Sequence, residues 1–265
     1  MCRRIVEGRK YMDISYLLDN WEYDPEDSVR LVRAEDGRQV MQVRLPLGIE
    51  QYELDERPDG FRPFGMPTLL DEIERRLAEH NREHRSDEDF AIDDDSFEML
   101  QSEGLLFYYR YLMLYQIGDY ERTARDTGHN LRLCSMVERY YKNEDSKGLL
   151  LQYMQYKPYI VRVNALSRSM IALNQDKRDS AVAIIEEAIQ SIEDLVEIDT
   201  TIFQFERMRS MSLLKETLEQ IKSQNVSEFE RLEYELETAV EEENYERAVK
   251  LRDAISSLLE SDGSG

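Results

Sequence analysis

The side chains of this 265-residue chain that could do chemistry are few: three histidines, two cysteines and some runs of acids. His80 and His84 stand at i and i+4, where a helix would put both imidazoles on one face at metal-ligand spacing. The segment His80-Asn81-Arg82-Glu83-His84 lacks the glutamate beside the first histidine that a zincin uses. Its surroundings are polar and rich in arginine, so it reads as a solvated helix end. Asp93-Asp94-Asp95 and Glu186-Glu187 carry enough charge to attract a divalent cation, but they read as a loop and a helix surface. Cys2 and Cys134 are too few for a disulfide framework or a four-ligand zinc site. They read as two reduced thiols, which points to a cytoplasmic protein. No Walker loop, GxGxxG, GxSxG or CxxC occurs in the sequence. The expectation is a non-enzymatic protein with no catalytic residue, no cofactor and no metal.

Tyrosine is the anomaly, with 16 in the chain. Tyr108, Arg110, Tyr111, Tyr115, Tyr153, Tyr156 and Tyr159 cluster in sequence, with Tyr109 and Lys157 among them. Two readings stand side by side. One is a helical core with hydroxyls at its margin. The other is an aromatic and basic groove for a peptide or single-stranded nucleic acid. Acids outnumber bases by 56 to 34, a formal charge of −22. A chain this acidic repels phosphate backbones, so direct nucleic-acid binding is disfavoured and a protein partner is expected. No stretch approaches 18 uninterrupted apolar residues, so no membrane partner is expected.

The elements that must position these residues are mainly helical. Eleven glycines and six prolines are few for this length and disfavour an all-β sandwich. Residues 1–66 read as a small α+β element. Ile14-Ser15-Tyr16-Leu17-Leu18 suggests a short helix. Residues 28–33 and 39–45 alternate apolar with polar, and Asp36-Gly37 between them suits a tight hairpin turn. Residues 49–54 read as a third strand. From 67 to 225 the period becomes helical. Thr68 and Ser96 are expected caps, 86–95 a solvated acidic loop, and Pro158 a kink or break. Residues 226–260 read as a closing helical hairpin and 261–265 as a flexible tail. The fold class is therefore mainly α, a small N-terminal β-element followed by helical hairpins.

Three hairpin turns, Gly118-Asp119-Tyr120, Gln175-Asp176-Lys177 and Glu243-Asn244-Tyr245, are followed by small residues at Ala124, Ala181 with Ala188, and Ala248. This resembles the tetratricopeptide hairpin, although the turns lie 58 and 68 residues apart by subtraction of Gly118, Asp176 and Asn244, against about 34 in a tandem array. The segment from Phe229 to Ile255 closely resembles the UVR motif of UvrB, UvrC, ClpC-type chaperones and McsA-type adaptors of protein-arginine kinases. Its densest part runs from Ala239-Val240 through Tyr245-Glu246-Arg247-Ala248 to Leu251-Arg252-Asp253 and Ile255. Leu232, Leu236, Ala239 and Val240 would line one helix, and Tyr245, Ala248, Leu251 and Ile255 the facing one.

The resemblance implies a bacterial adaptor that pairs this hairpin with another UVR hairpin or with a second copy of itself. It also implies, as the alternative, an accessory of DNA repair or a regulator of a Clp or arginine-kinase system. The McsA-type relatives carry cysteine zinc motifs, which this chain lacks.

Overall fold

The computed structural model describes residues 14–143 and 147–223, together with Leu236, Ala239, Arg247, Lys250, Leu251 and Arg252. It is mainly α, with a small antiparallel sheet near the N-terminus. A short helix α1 (Ser15–Asp19) precedes strands β1 (Val29–Arg33), β2 (Gln39–Leu45) and β3 (Gly48–Glu53), in the order β1-β2-β3. Val29 pairs with Val43 and Met41 with Tyr52, so these apolar side chains share one buried face. The first turn differs from the tight type the Asp-Gly pair suggests. It spans residues 34–38, closed by Ala34 N–H donating to Arg38 O at 2.9 Å, and of the pair only Gly37 is left-handed (φ +88°).

The helices are α2 (Leu69–His84), α3 (Asp94–Gln116), α4 (Tyr120–Tyr140), α5 (Lys147–Met154), α6 (Lys157–Leu173), α7 (Arg178–Glu193) and α8 (Thr201–Ser223). Thr68 caps α2, its Oγ1 accepting from Asp71 N at 3.1 Å. Ser96 does not cap α3. Asp93 does, accepting from Ser96 N at 2.7 Å, because the helix starts three residues earlier than Ser96 would set it. Pro158 separates two helices instead of bending one. It sits in the first turn of α6, where its missing N–H costs no hydrogen bond.

The acidic loop is less solvated than its composition suggests. Ile92 is buried and its N–H donates to Tyr140 O at 2.9 Å, Asp87 binds Arg139 and Tyr140, and Asp94 binds Tyr141 and Asn143.

Helix α4 packs against both α3 and α6, α6 against α7, and α8 against both α7 and α6. Each antiparallel pair thus leans on the next. Two of the turns share one geometry. Gly118 (φ +74°) and Asp176 (φ +57°) are both left-handed. Beyond them Asp119 N–H reaches back to Leu114 O and Lys177 N–H to Ala172 O, both at 2.9 Å. This closes each helix with the 6→1 bond of a Schellman end. The third such turn, at Asn244, lies outside the described residues. Small side chains then let the helices approach: Ala165, Ala172, Ala181 and Ala188 are buried together with Ile185 and Leu214.

The sheet is held on the body by two arginines. Arg110 on α3 is fully buried and forms a two-pronged pair with Asp126 of α4, Nε to Oδ2 at 2.6 Å and Nη2 to Oδ1 at 2.8 Å. Its third nitrogen donates to Glu53 O, at the end of β3, at 2.7 Å. Arg125 donates to Leu54 O at 2.5 Å and to Asp126 at 2.9 Å. Leu54 and Tyr52 pack with Leu114 of α3 beneath this clasp.

Removing one partner of a buried ion pair strands the other charge. Asp126→Ala is therefore expected to lower unfolding stability by about 3–5 kcal/mol. The double change Arg110→Met, Asp126→Leu should recover most of that loss. Urea denaturation of the three chains measures both.

Candidate functional site

Helix α3 carries Gln101, Gly104, Leu105, Tyr108 and Tyr111, spaced so that successive turns present one stripe. This stripe forms one wall of a cavity of about 610 Å³. Helix α5 adds Gln152 and Tyr153, Tyr156 follows it, α6 adds Tyr159 and Ile160, and α8 adds Glu206 and Arg209. Leu105 and Tyr156, 49% and 45% exposed, stand at its edge. The rings meet at angles: Tyr108 and Tyr111 are edge-on with centroids 5.5 Å apart, and Tyr108 lies 6.2 Å from Tyr159.

The floor depends on Gly104. A Cβ at this position would lie 2.6 Å from Tyr153 Oη, so only glycine lets the tyrosine lie across α3. The Gly104 carbonyl accepts from Asn130 Nδ2 of α4 at 2.9 Å. One residue before, Glu103 is fully buried and acts as the anchor of α2. It accepts from Leu69 N at 2.7 Å and Leu70 N at 3.0 Å, the first two amides of that helix, and from Arg57 Nη1 at 3.2 Å. His129 Nε2 lies 3.3 Å away, its ring stacked on Phe107 at 3.7 Å.

Burial pushes the tyrosine hydroxyls up. Tyr111 and Tyr153 are held well above the ordinary phenol range, and Tyr159 is pushed up to about 12. The Cys134 thiol, also buried, is likewise pushed up to about 12. These groups are neutral at pH 7, so the hydroxyls serve as donors or acceptors and not as charges. Glu103 feels two opposing effects. Burial raises its pKa, but the close approach of His129 and the hydrogen bonds from Leu69 N and Leu70 N outweigh this and leave it below the ordinary value of 4.5.

The structure brings together five of the seven residues of the tyrosine cluster: Tyr108, Tyr111, Tyr153, Tyr156 and Tyr159 line the cavity. The other two lie elsewhere. Arg110 points the opposite way, into the clasp under the sheet, and Tyr115 packs against Tyr120 with centroids 5.8 Å apart. Sequence reasoning missed Gly104, Asn130, Glu206 and Arg209. Gly104 had a signal, a glycine in a helix interior at a cost of about 1 kcal/mol. The α8 pair had none, because it arrives from some 50 residues beyond Tyr156 by subtraction of Glu206.

His80 and His84 stack on each other at 4.2 Å, with Phe90 against His80, so this helix end is partly covered and not simply solvated. Among the described residues, no group of three or more His, Cys, Asp or Glu side chains is placed to hold a metal ion. Among them too, no helix is long and apolar enough to cross a membrane.

Of the residues expected on the C-terminal hairpin, Leu232, Val240, Tyr245, Ala248, Asp253 and Ile255 lie outside the described residues. Leu236, Ala239, Leu251 and Arg252 are described and all four are helical, with Ala239 and Leu251 buried.

Residues 227–261 match the family model of the UvrB/uvrC motif, UVR. No curated protein and no solved structure matches the chain. The UVR match covers the segment carrying the buried Ala239 and Leu251, and it leaves the tyrosine-lined body without a counterpart.

Two expectations follow. Tyr153→Phe removes a buried hydroxyl that makes no hydrogen bond. It should therefore be neutral or stabilising in thermal unfolding, and adding Gly104→Ala in that background should gain up to about 1 kcal/mol. Gly104→Ala alone should destabilise and shift Tyr153. Glu103→Gln should cost about 3 kcal/mol at pH 7. Because the folded state holds Glu103 below its ordinary pKa, the stability it contributes is present above that value. It is lost as pH falls through the folded pKa. The gap between wild type and Glu103→Gln should therefore narrow as denaturation is repeated from roughly pH 5 down to pH 2.

Proposed function

We propose that this is a non-enzymatic interaction protein of the cytoplasm. Its helical body offers the tyrosine-lined cavity to a protein partner, and its UVR segment pairs with a second UVR hairpin, in another protein or in a second copy of this chain. The observation that carries this reading is the match of residues 227–261 to the UVR model. A lone pair of short helices buries too little apolar surface to be stable by itself, so such a hairpin needs a surface to cover it. The buried cavity tyrosines, held neutral, and the buried Cys134 thiol, also held neutral, support binding over nucleophilic chemistry. The order in which α3, α4, α6, α7 and α8 pack supports a tetratricopeptide-like body. An accessory role in DNA repair is the second reading, favoured by the UvrB/uvrC motif. The −22 charge favours action through a protein and not by contact with the nucleic acid.

Among the described residues, the buried clusters of the body contain none beyond Ile221, so a chain ending at Ser223 is expected to keep its core. Light scattering after size exclusion should give about twice the 31.4 kDa monomer for the full chain, and a folded monomer for the shortened one. Monomers in both cases would remove self-pairing. Failure of the immobilised full chain to capture any protein, at low and at high salt, would overturn the interaction reading itself.

A further inference from the structure

The polar atoms left unpaired on the cavity's floor and α8 wall share one property: they can accept a hydrogen bond. Asn130 is 97% buried (3% exposed). Its Nδ2 is committed to the Gly104 carbonyl, which fixes the amide and leaves Oδ1 buried with no hydrogen-bond partner. Glu206 Oε2 is buried and also has none, because the nearest cation, Arg162 Nη1, stands 3.9 Å away, beyond hydrogen-bond reach. Tyr153 Oη, between them in kind, is unpartnered too. Buried acceptors are costly to leave unmade, and native proteins leave few. A ligand that satisfied Asn130 Oδ1 and Glu206 Oε2 would have to donate.

The walls ask for the same chemistry. Tyr108, Tyr111, Tyr156 and Tyr159 line the cavity, and an aromatic face attracts cations through its quadrupole. The chain already uses one of these faces in this way: the Arg162 guanidinium sits 5.0 Å from the Tyr159 centroid. The overall charge of −22 draws cationic segments toward the surface. The volume of about 610 Å³ lies within the roughly 300–1,000 Å³ of small-ligand sites, enough for a long side chain and its flanking backbone. Two groups oppose a cation: Arg209, exposed on the cavity's α8 edge, and Arg162, which stands behind Glu206 and over one face of Tyr159.

We propose that the cavity receives a basic side chain, a guanidinium or ammonium, projecting from an extended segment of the partner protein. The proposal rests on the interaction reading above and names the chemistry of the partner. The tyrosine faces sandwich the cation, Glu206 and Asn130 accept its N–H groups, and Arg209 sets a threshold by like-charge repulsion.

The test uses the full chain with ring-¹³C tyrosine, its cavity signals assigned by single Tyr→Phe changes at 108 and 159. It is titrated with the acetylated, amidated peptide Gly-Gly-Ser-Arg-Ser-Gly-Gly and with versions carrying Lys, Leu or Glu in place of Arg. The Arg or Lys peptide is expected to move the Tyr108 and Tyr159 signals, and the Leu and Glu peptides to leave them in place. Glu206→Gln, nearly isosteric, should weaken binding about tenfold. Arg209→Ala, at an exposed position, should strengthen it about twofold. Unchanged unfolding midpoints establish that both variants are folded. Equal binding of the Leu peptide, or a preference for Glu with the two substitutions reversed in sign, overturns the proposal. So does silence from every peptide. The mass and capture measurements report on the interaction reading separately, so one can fail without the other.

Discussion

Arg110 is a large cation with no exposed surface, and its three hydrogen-bonding nitrogens are all spoken for. Two go to Asp126 and hold α3 to α4. The third goes to the backbone of β3. A single guanidinium therefore joins the first helical hairpin internally and fixes the sheet to it. The geometry suits arginine and not lysine, because a planar fork can serve a carboxylate with one edge and a carbonyl with the other. Burying such a charge is expensive unless every donor is paired. That requirement over-determines the position of the β3 end, and through it the packing of Tyr52, Leu54 and Leu114 beneath.

The cavity on the opposite side of α3 follows from a second constraint of the same kind. Glu103 takes the first two amides of α2 and thereby seats that helix against α3. With α2 covering one side, Gly104 admits Tyr153 on the other, and Asn130 secures the glycine carbonyl. Three consecutive turns of α3 thus divide their duties by direction. Glu103, Phe107 and Arg110 face the body and sheet, while Gly104, Tyr108 and Tyr111 shape the cavity. The low amphipathicity of this helix has the same origin, since it is covered on more than one side.

Much of this was legible in the chain and some was not, for physical reasons. Strand alternation in 28–33 and 39–45 and the helical period after 67 reflect burial on one face, which sequence records directly. The cap of α3 went to Asp93 instead of Ser96 because both are good capping residues in an acidic run, and local propensity does not choose between them. Asp176 took the left-handed position that Gly118 takes in the earlier turn, a substitution that Asp tolerates and that hides the repeat from a search for glycine. Arg110 sat among the tyrosines in sequence but was turned away from them by the helix period, 100° per residue. Its partner Asp126, 16 positions later, gave no local sign.

The cavity's unpaired acceptors bear on why this surface exists. A core selected for stability alone would replace Asn130 with an apolar residue or pair Glu206 fully with Arg162. The guanidinium is already close, at 3.9 Å, and a small displacement would complete the bond. Holding the two apart leaves an acceptor and a donor both unmade in a buried place, a local cost that packing elsewhere must offset. Such costs collect where a protein meets something else. The body is therefore built as a stable frame, with clasped arginine, anchored glutamate and close alanine contacts, around a region left incomplete. What satisfies the cavity's acceptors must bring donors, tolerate aromatic walls and approach a strongly acidic chain, and these three demands together describe a cationic group.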